Sequence, residues 1–130
     1  MPLTRQAMHN SGEHIHVGLW PTVHEKHQIA SRHYAFEGRC FVLAAGQLMN
    51  ASEIPVELKS KAKGNLLHGG SCIIDPRGDY VVEPVFDEER LITAEIDVDS
   101  VFEERMTLDT SGHYQRNDVF SFEVNTDRKL

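Results

Sequence analysis

The chain has no apolar run approaching the roughly 18 residues that a membrane-crossing helix requires, and no basic-then-apolar leader at its N-terminus. A spanning helix is excluded, no membrane partner is expected, and a cytoplasmic location is the expectation. It has no stripe of lysine and arginine with interleaved aromatics: 13 basic residues face 20 acidic ones, for a formal net charge of −7. Such a balance repels phosphate backbones, so nucleic acid is not an expected partner. Cysteine is scarce. Cys40 and Cys72 have neither a zinc-type spacing nor a secretory context, so both are expected to be reduced. There is no internal repeat and no low-complexity tract.

What remains is ordinary for a globular domain. The 130 residues amount to one domain at most, and 40% hydrophobic with 25% charged content can bury a modest core. Residues 2–10 suit a helix closed by Ser11-Gly12. His14 to Trp20 alternates, with Ile15, Val17 and Leu19 on one face and His16, Gly18 and Trp20 on the other, which is the period of a half-buried strand. Thr22-Val23-His24-Glu25 has the form of a capping box. A helix is predicted to follow, presenting Ile29, His33 and Phe36 along one side and stopping near Gly38. Cys40 to Ala45 is short and apolar throughout, as in a strand covered on both faces. A helix over Ser52–Lys63 follows. Then comes a hairpin whose strands flank Asp75-Pro76-Arg77-Gly78, where proline presets the turn and glycine relaxes it. Leu91 to Val98 alternates again and predicts a further strand. The polar stretch from Asp109 onward predicts an extended arm. Helices and strands alternating in this way define an α/β class.

Few residues carry chemistry by their spacing. Of eight histidines, His14 and His16 share a strand face and can chelate in principle. His24, His27 and His33 share a helix, but no pair has the i, i+4 spacing of a helical metal site, and no metal is expected. Cys40 follows a helix C-terminus, where the dipole opposes a thiolate, and Cys72 has no basic neighbour in sequence. Both read as small buried hydrophobes. The acidic pairs in Asp87-Glu88-Glu89 and Glu103-Glu104 read as solvated surface.

Several blocks occur in a definite order: Met1-Pro2-Leu3, Gly12 through Trp20-Pro21-Thr22, and His27 through Glu37-Gly38-Arg39-Cys40-Phe41-Val42-Leu43. Gly69-Gly70-Ser71-Cys72-Ile73-Ile74-Asp75-Pro76-Arg77-Gly78 and Gly112-His113-Tyr114-Gln115-Arg116-Asn117-Asp118-Val119-Phe120-Ser121 complete the set. Together they resemble the C-terminal half of a nitrilase, of the carbon–nitrogen hydrolase superfamily. The resemblance implies the second half of a four-layer α-β-β-α sandwich over residues 1–108, whose sheets lack neighbours. Residues 109–130 would be a C-terminal arm making oligomer contacts, with Asn117 standing where proline is usual. Nitrilases convert a nitrile to a carboxylic acid and ammonia through a cysteine thioimidate, using a Glu, a Lys and a Cys and no cofactor. The resemblance puts all three ahead of the segment matching Met1-Pro2-Leu3, so the chain is expected to be inactive alone. It makes Trp20, Pro21 and Thr22 a wall of the substrate pocket and Glu37 a structural support. The implied partners are a small-molecule nitrile for the full-length parent and either further copies of the chain or a full-length relative. An alternative expectation is a non-catalytic protein that associates with such a relative.

Overall fold

In the computed structural model, which describes residues 1–55, 57 and 63–127, helix α1 (Pro2–Asn10) starts with proline in its first turn, where no amide partner is lost. It ends as expected at Ser11-Gly12, whose amides bond the carbonyls of Met8 and His9. Strand β1 (Ile15–Trp20), helix α2 (Glu25–Gly38) and strand β2 (Phe41–Gly46) make a parallel βαβ unit, in register from Ile15 opposite Phe41 to Trp20 opposite Gly46. Strand β3 (Leu48–Asn50) continues from β2 after Gln47. The long β4 (Asn65–Ile74) runs antiparallel to both, pairing β2 at one end and β3 at the other, and takes β5 (Tyr80–Phe86) on its opposite side. A short α3 (Asp99–Arg105) follows. The fold is therefore mixed α/β.

The core lies between the sheet and α2: Val23, Ala35, Cys40, Val42, Ala44, Cys72 and Ile74 are buried together, with Trp20, Tyr34 and Tyr80 packed on them. The helix meets the sheet through the small residues Ser31 and Ala35. Ile29, His33 and Phe36 point outward, and the Arg39 guanidinium lies 4.3 Å over the Phe36 ring. β1 is half-buried, but its apolar face is the open one: Ile15, Val17 and Leu19 are exposed while His16, Gly18 and Trp20 turn toward the helices.

Four expectations need correction, the last of them at Glu104. The capping box does not form. His24 is the N-cap and makes no side-chain cap, while the Thr22 hydroxyl accepts the His68 amide at 3.0 Å. With the helix starting at Glu25, Thr22 stands outside its first turn and serves β4 instead. Leu91–Val98 is not a strand. Ile92 and Ile96 are half-buried in crevices of the sheet while Ala94 and Val98 are exposed, so the period of two in the sequence is matched neither by ladder bonds nor by alternating burial. From Thr110 to Val119 the tail winds through turns rather than extending, and the Thr110 hydroxyl donates to the Glu37 carbonyl at 3.0 Å.

Two elements went unforeseen, β3 and α3. The signal for α3 is Asp97, whose carboxylate accepts the Asp99 amide and whose carbonyl accepts the Ser100 hydroxyl. Glu104, expected in solvent, is instead mostly buried between Arg39 (3.4 Å) and Arg77 (2.6 Å). The helix expected over Ser52–Lys63 falls in part outside the described residues; within them Ala51–Glu53 is a 3₁₀ turn capped reciprocally by Asn50 and Glu53.

Candidate functional site

The carboxyl ends of the parallel strands β1 and β2 lie side by side at Trp20 and Gly46, the end of an α/β sheet where ligands bind. The chain leaving β1 is held there by backbone bonds. The Gln47 amide reaches the carbonyls of Trp20 (3.3 Å) and Pro21 (3.1 Å), the Gly69 amide reaches Gln47 (2.9 Å), and the Val23 amide returns to Gly69 (2.8 Å). Such a closed circuit leaves the Trp20-Pro21-Thr22 segment little freedom.

Trp20 is half-buried. Its indole N–H donates to the Ser31 hydroxyl at 3.2 Å and its ring stacks on His27 at 4.5 Å. It lines a cavity of about 390 Å³ under α1, together with Met8, His16, Ser31, Tyr34 and Val42. Pro21 is exposed, and Thr22 is buried in its bond to β4, so of these three residues Trp20 alone reaches the cavity.

Glu37, at the end of α2, pairs with Arg5 and lies 3.4 Å from the His9 imidazole, tying α1 to α2 across 32 and 28 residues of sequence. Arg32, five residues back on the helix, is engaged elsewhere, donating to the Gly78 carbonyl at 2.6 Å, while His33 lies 3.9 Å from the Glu37 carboxylate. Glu13 forms a second node: it accepts from the Tyr34 hydroxyl, lies 3.0 Å from His16, and its carbonyl accepts from Arg105 at 2.8 Å. Both nodes flank His9, whose side chain is 2% exposed. Burial depresses the His9 pKa, outweighing the hydrogen bond and charge of Glu37 and the charge of Glu13. His9 is thus neutral in the fold and must be charged on acid unfolding. Stability from this group is complete above the unfolded value of about 6.5 and is lost as pH falls below it. Urea unfolding at about pH 7.5 and about pH 5 should show a smaller acid loss for His9→Phe than for the native chain.

Neither cysteine is activated. Both are buried, and burial first, then the charge of Glu13 for Cys40 and of Glu83 for Cys72, pushes their pKa values up to about 12 and about 11. His14 packs edge-on against Phe102 and His16 stacks on Tyr34 at 4.0 Å, so the two do not converge. Among the described residues no three His, Cys, Asp or Glu side chains come together as a metal site. A further pair was invisible in sequence: His68 Nδ1 lies 2.6 Å from the Asp87 carboxylate.

A βαβ unit extended by an antiparallel hairpin, with a cavity between the helices and the helix-facing side of β1, defines a protein of the mixed α/β class. The family profile for carbon–nitrogen hydrolases matches residues 1–105, and the chain belongs to that family. It is 40% identical over 126 residues to Nitrilase 2 of an unknown prokaryotic organism, covering 95% of this chain and 40% of that protein. It is 38% identical over 130 residues to an arylacetonitrilase of Trametes versicolor, covering 95% and 41%. A nitrilase-like protein of Saccharomyces cerevisiae is 39% identical over 108 residues, 72% of this chain and 91% of that one. In fold the chain is similar to a carbon–nitrogen hydrolase from Helicobacter pylori G27, with a TM-score of 0.73 at 18% identity over 92% of this chain and 43% of the other. The chain thus spans about 40% of the length of the full-size relatives it matches.

Proposed function

We propose that this chain is the C-terminal half of a nitrilase-type hydrolase, which in its whole form converts a nitrile to a carboxylic acid and ammonia through a cysteine thioimidate. The nucleophilic cysteine, its glutamate base and the lysine come from the other half, and this half supplies Trp20 to the pocket and Glu37 to the support beneath it. The observation that carries this reading is that nearly all of the chain matches nitrilases, while its own two thiols are sealed in the core. Nucleophilic catalysis needs an accessible thiolate, and neither Cys40 nor Cys72 offers one.

The test is ammonia release from phenylacetonitrile and from an aliphatic nitrile. The chain alone should run at the blank rate. Co-expressed with the remaining N-terminal part of the Trametes arylacetonitrilase as a separate polypeptide, it should restore turnover. Ammonia released by the chain alone, and abolished in Cys40→Ala or Cys72→Ala, would place the chemistry in this half and overturn the reading.

The open apolar face of β1 supports the same picture. Val17 and Leu19 are 58% and 78% exposed, and an uncovered apolar strand face drives association. The isolated chain is therefore expected to self-associate at micromolar concentration, and Val17→Glu with Leu19→Lys should reduce its sedimentation-average mass. A monomer for the native chain would contradict this.

A further inference from the structure

Helix α1 covers a cavity without being packed deeply into the fold. The space of about 390 Å³ lies between Thr4, Arg5 and Met8 of α1 and a floor that includes Gly18, Trp20 and Val42. Of the nine residues of α1, His9 is the buried one, while Leu3 and Met8 are 70% and 39% exposed. The C-terminal tail runs beside Pro2 and Leu3 across an open groove and leaves both exposed. An element with so little apolar burial is held by its polar ties, and such elements open before the sheet does.

Those ties are few. The Glu37 carboxylate pairs with Arg5 and lies 3.4 Å from His9 Nε2, joining α1 to α2. The His9 ring packs on Tyr34 at 4.5 Å between centroids, and Gly38 makes room for it, since a Cβ there would overlap the imidazole. His9 Nδ1 is buried, finds no hydrogen-bond partner among the described residues, and is 3.7 Å from Glu13. Two further titratable groups border the cluster: Asp109 lines the same polar cleft as His9, and His33 lies 3.9 Å from Glu37. Just past the helix, Gly12 is left-handed at φ +74° with open space around it. The next residue, Glu13, is anchored by Tyr34, His16 and Arg105. An unhindered glycine between a lightly held helix and an anchored residue is where a hinge forms.

We propose that α1 is a lid over this cavity, hinged at Ser11-Gly12 and latched to α2 by the His9–Glu37–Arg5 cluster, and that mild acid opens it. With the lid closed the ring is neutral, because burial, helped by the charge of Arg5, outweighs the attraction of Glu37 and Glu13. With the lid open the imidazole is in water and titrates at about 6.5. Opening therefore takes up a proton below that value, and the open fraction rises as pH falls. The swing uncovers the helix-facing side of β1, Trp20 included. Nothing in this device depends on the nitrilase reading.

The test is amide hydrogen exchange of the full chain at about pH 7.5 and about pH 5, corrected for the intrinsic rate. Protection in residues 2–10 should fall about tenfold or more, with a ceiling of about 30-fold set by the distance from about 6.5 down to about pH 5. The α1 amides should exchange faster than those of β2 and ignore sub-denaturing urea, because opening a lid exposes little surface. Acrylamide quenching of Trp20, the single tryptophan, should rise over the same pH range. His9→Phe keeps a ring in the slot without a charge and should remove the pH dependence. Gly38→Ala displaces the ring and should open the lid at about pH 7.5. Protection in residues 2–10 that changes less than about twofold with pH would overturn the proposal. So would α1 amides that exchange only together with β2, Trp20 quenching that does not move, a His9→Phe chain that responds to pH like the native one, or a Gly38→Ala chain that stays closed.

Discussion

Gly46→Ala is expected to prevent stable folding of the chain. A Cβ on Gly46 would overlap the backbone carbonyl of Gly69, which has no room to withdraw. Gly69 is held by Gln47 through its amide and by Val23 through the same carbonyl, at 2.9 and 2.8 Å. Overpacking against side chains typically costs up to about 3 kcal/mol, and a clash with fixed backbone lies at or beyond that limit. A domain of this size has only about 5–15 kcal/mol in total, so one methyl group takes a large share. Gly70→Ala meets a similar obstacle, with φ +81° and a new Cβ that would sit 2.6 Å from the Phe86 ring and 2.7 Å from the Val23 carbonyl. Gly12→Ala separates conformation from contact. It has φ +74° and nothing within 4 Å, so it should cost only the left-handed penalty of about 1 kcal/mol. Gly70→Ala should have a lower urea midpoint than Gly12→Ala, and Gly46→Ala should show no cooperative transition; a Gly46→Ala protein as stable as Gly12→Ala would show that the β2–β4 pairing is looser than the geometry describes.

The second large effect is alkaline. Cys40 is fully buried and Cys72 is 2% exposed, and the folded thiols titrate near 12 and 11. Unfolding returns both to about 9, so between these values the folded chain holds more protons than the unfolded one. Stability then falls with rising pH. It is complete below about pH 9 and is lost as pH climbs through the folded values. At about pH 10 each thiol removes roughly 1.4 kcal/mol, or roughly 3 kcal/mol for the pair. Tyr34 is also pushed up, by burial and then by its bond to Glu13, and adds to the loss at higher pH. Unfolding free energies measured from about pH 8 to 10.5 should fall steeply in the native chain and less steeply in Cys40→Ala and in Cys72→Ala. Labelling by a thiol reagent at neutral pH should proceed no faster than local or global opening. Rapid labelling of the folded chain would mean that the thiols are not sealed.

Much of this molecule was legible in its residues. The helix stop at Ser11-Gly12, the end of α2 near Gly38, the apolar β2 and the turn at Asp75-Pro76-Arg77-Gly78 all occur where local chemistry places them. In that turn the Asp75 carboxylate accepts the amides of Arg77 and Asp79, a bond set written entirely within five residues. The ordered blocks likewise carried the family, because recognising them needs no distance in space.

The failures share one cause. Thr22 has the right spacing to cap α2, yet its hydroxyl goes to an amide 46 residues away, and Leu91–Val98 has a strand's alternation without a strand's pairing. Glu104 looked solvated until Arg39, 65 residues distant, came to it. The sequence by itself determined α1, β1, α2, β2, the turn at Asp75-Pro76-Arg77-Gly78 and the family, since these follow from propensity, turn chemistry and pattern over short spans. Only the tertiary structure decided that Glu37 pairs with Arg5, that the apolar face of β1 is left open, and that Asp87 meets His68. A side chain's partner is set by which backbone arrives beside it, and that depends on the packing of the whole sheet rather than on neighbours along the chain.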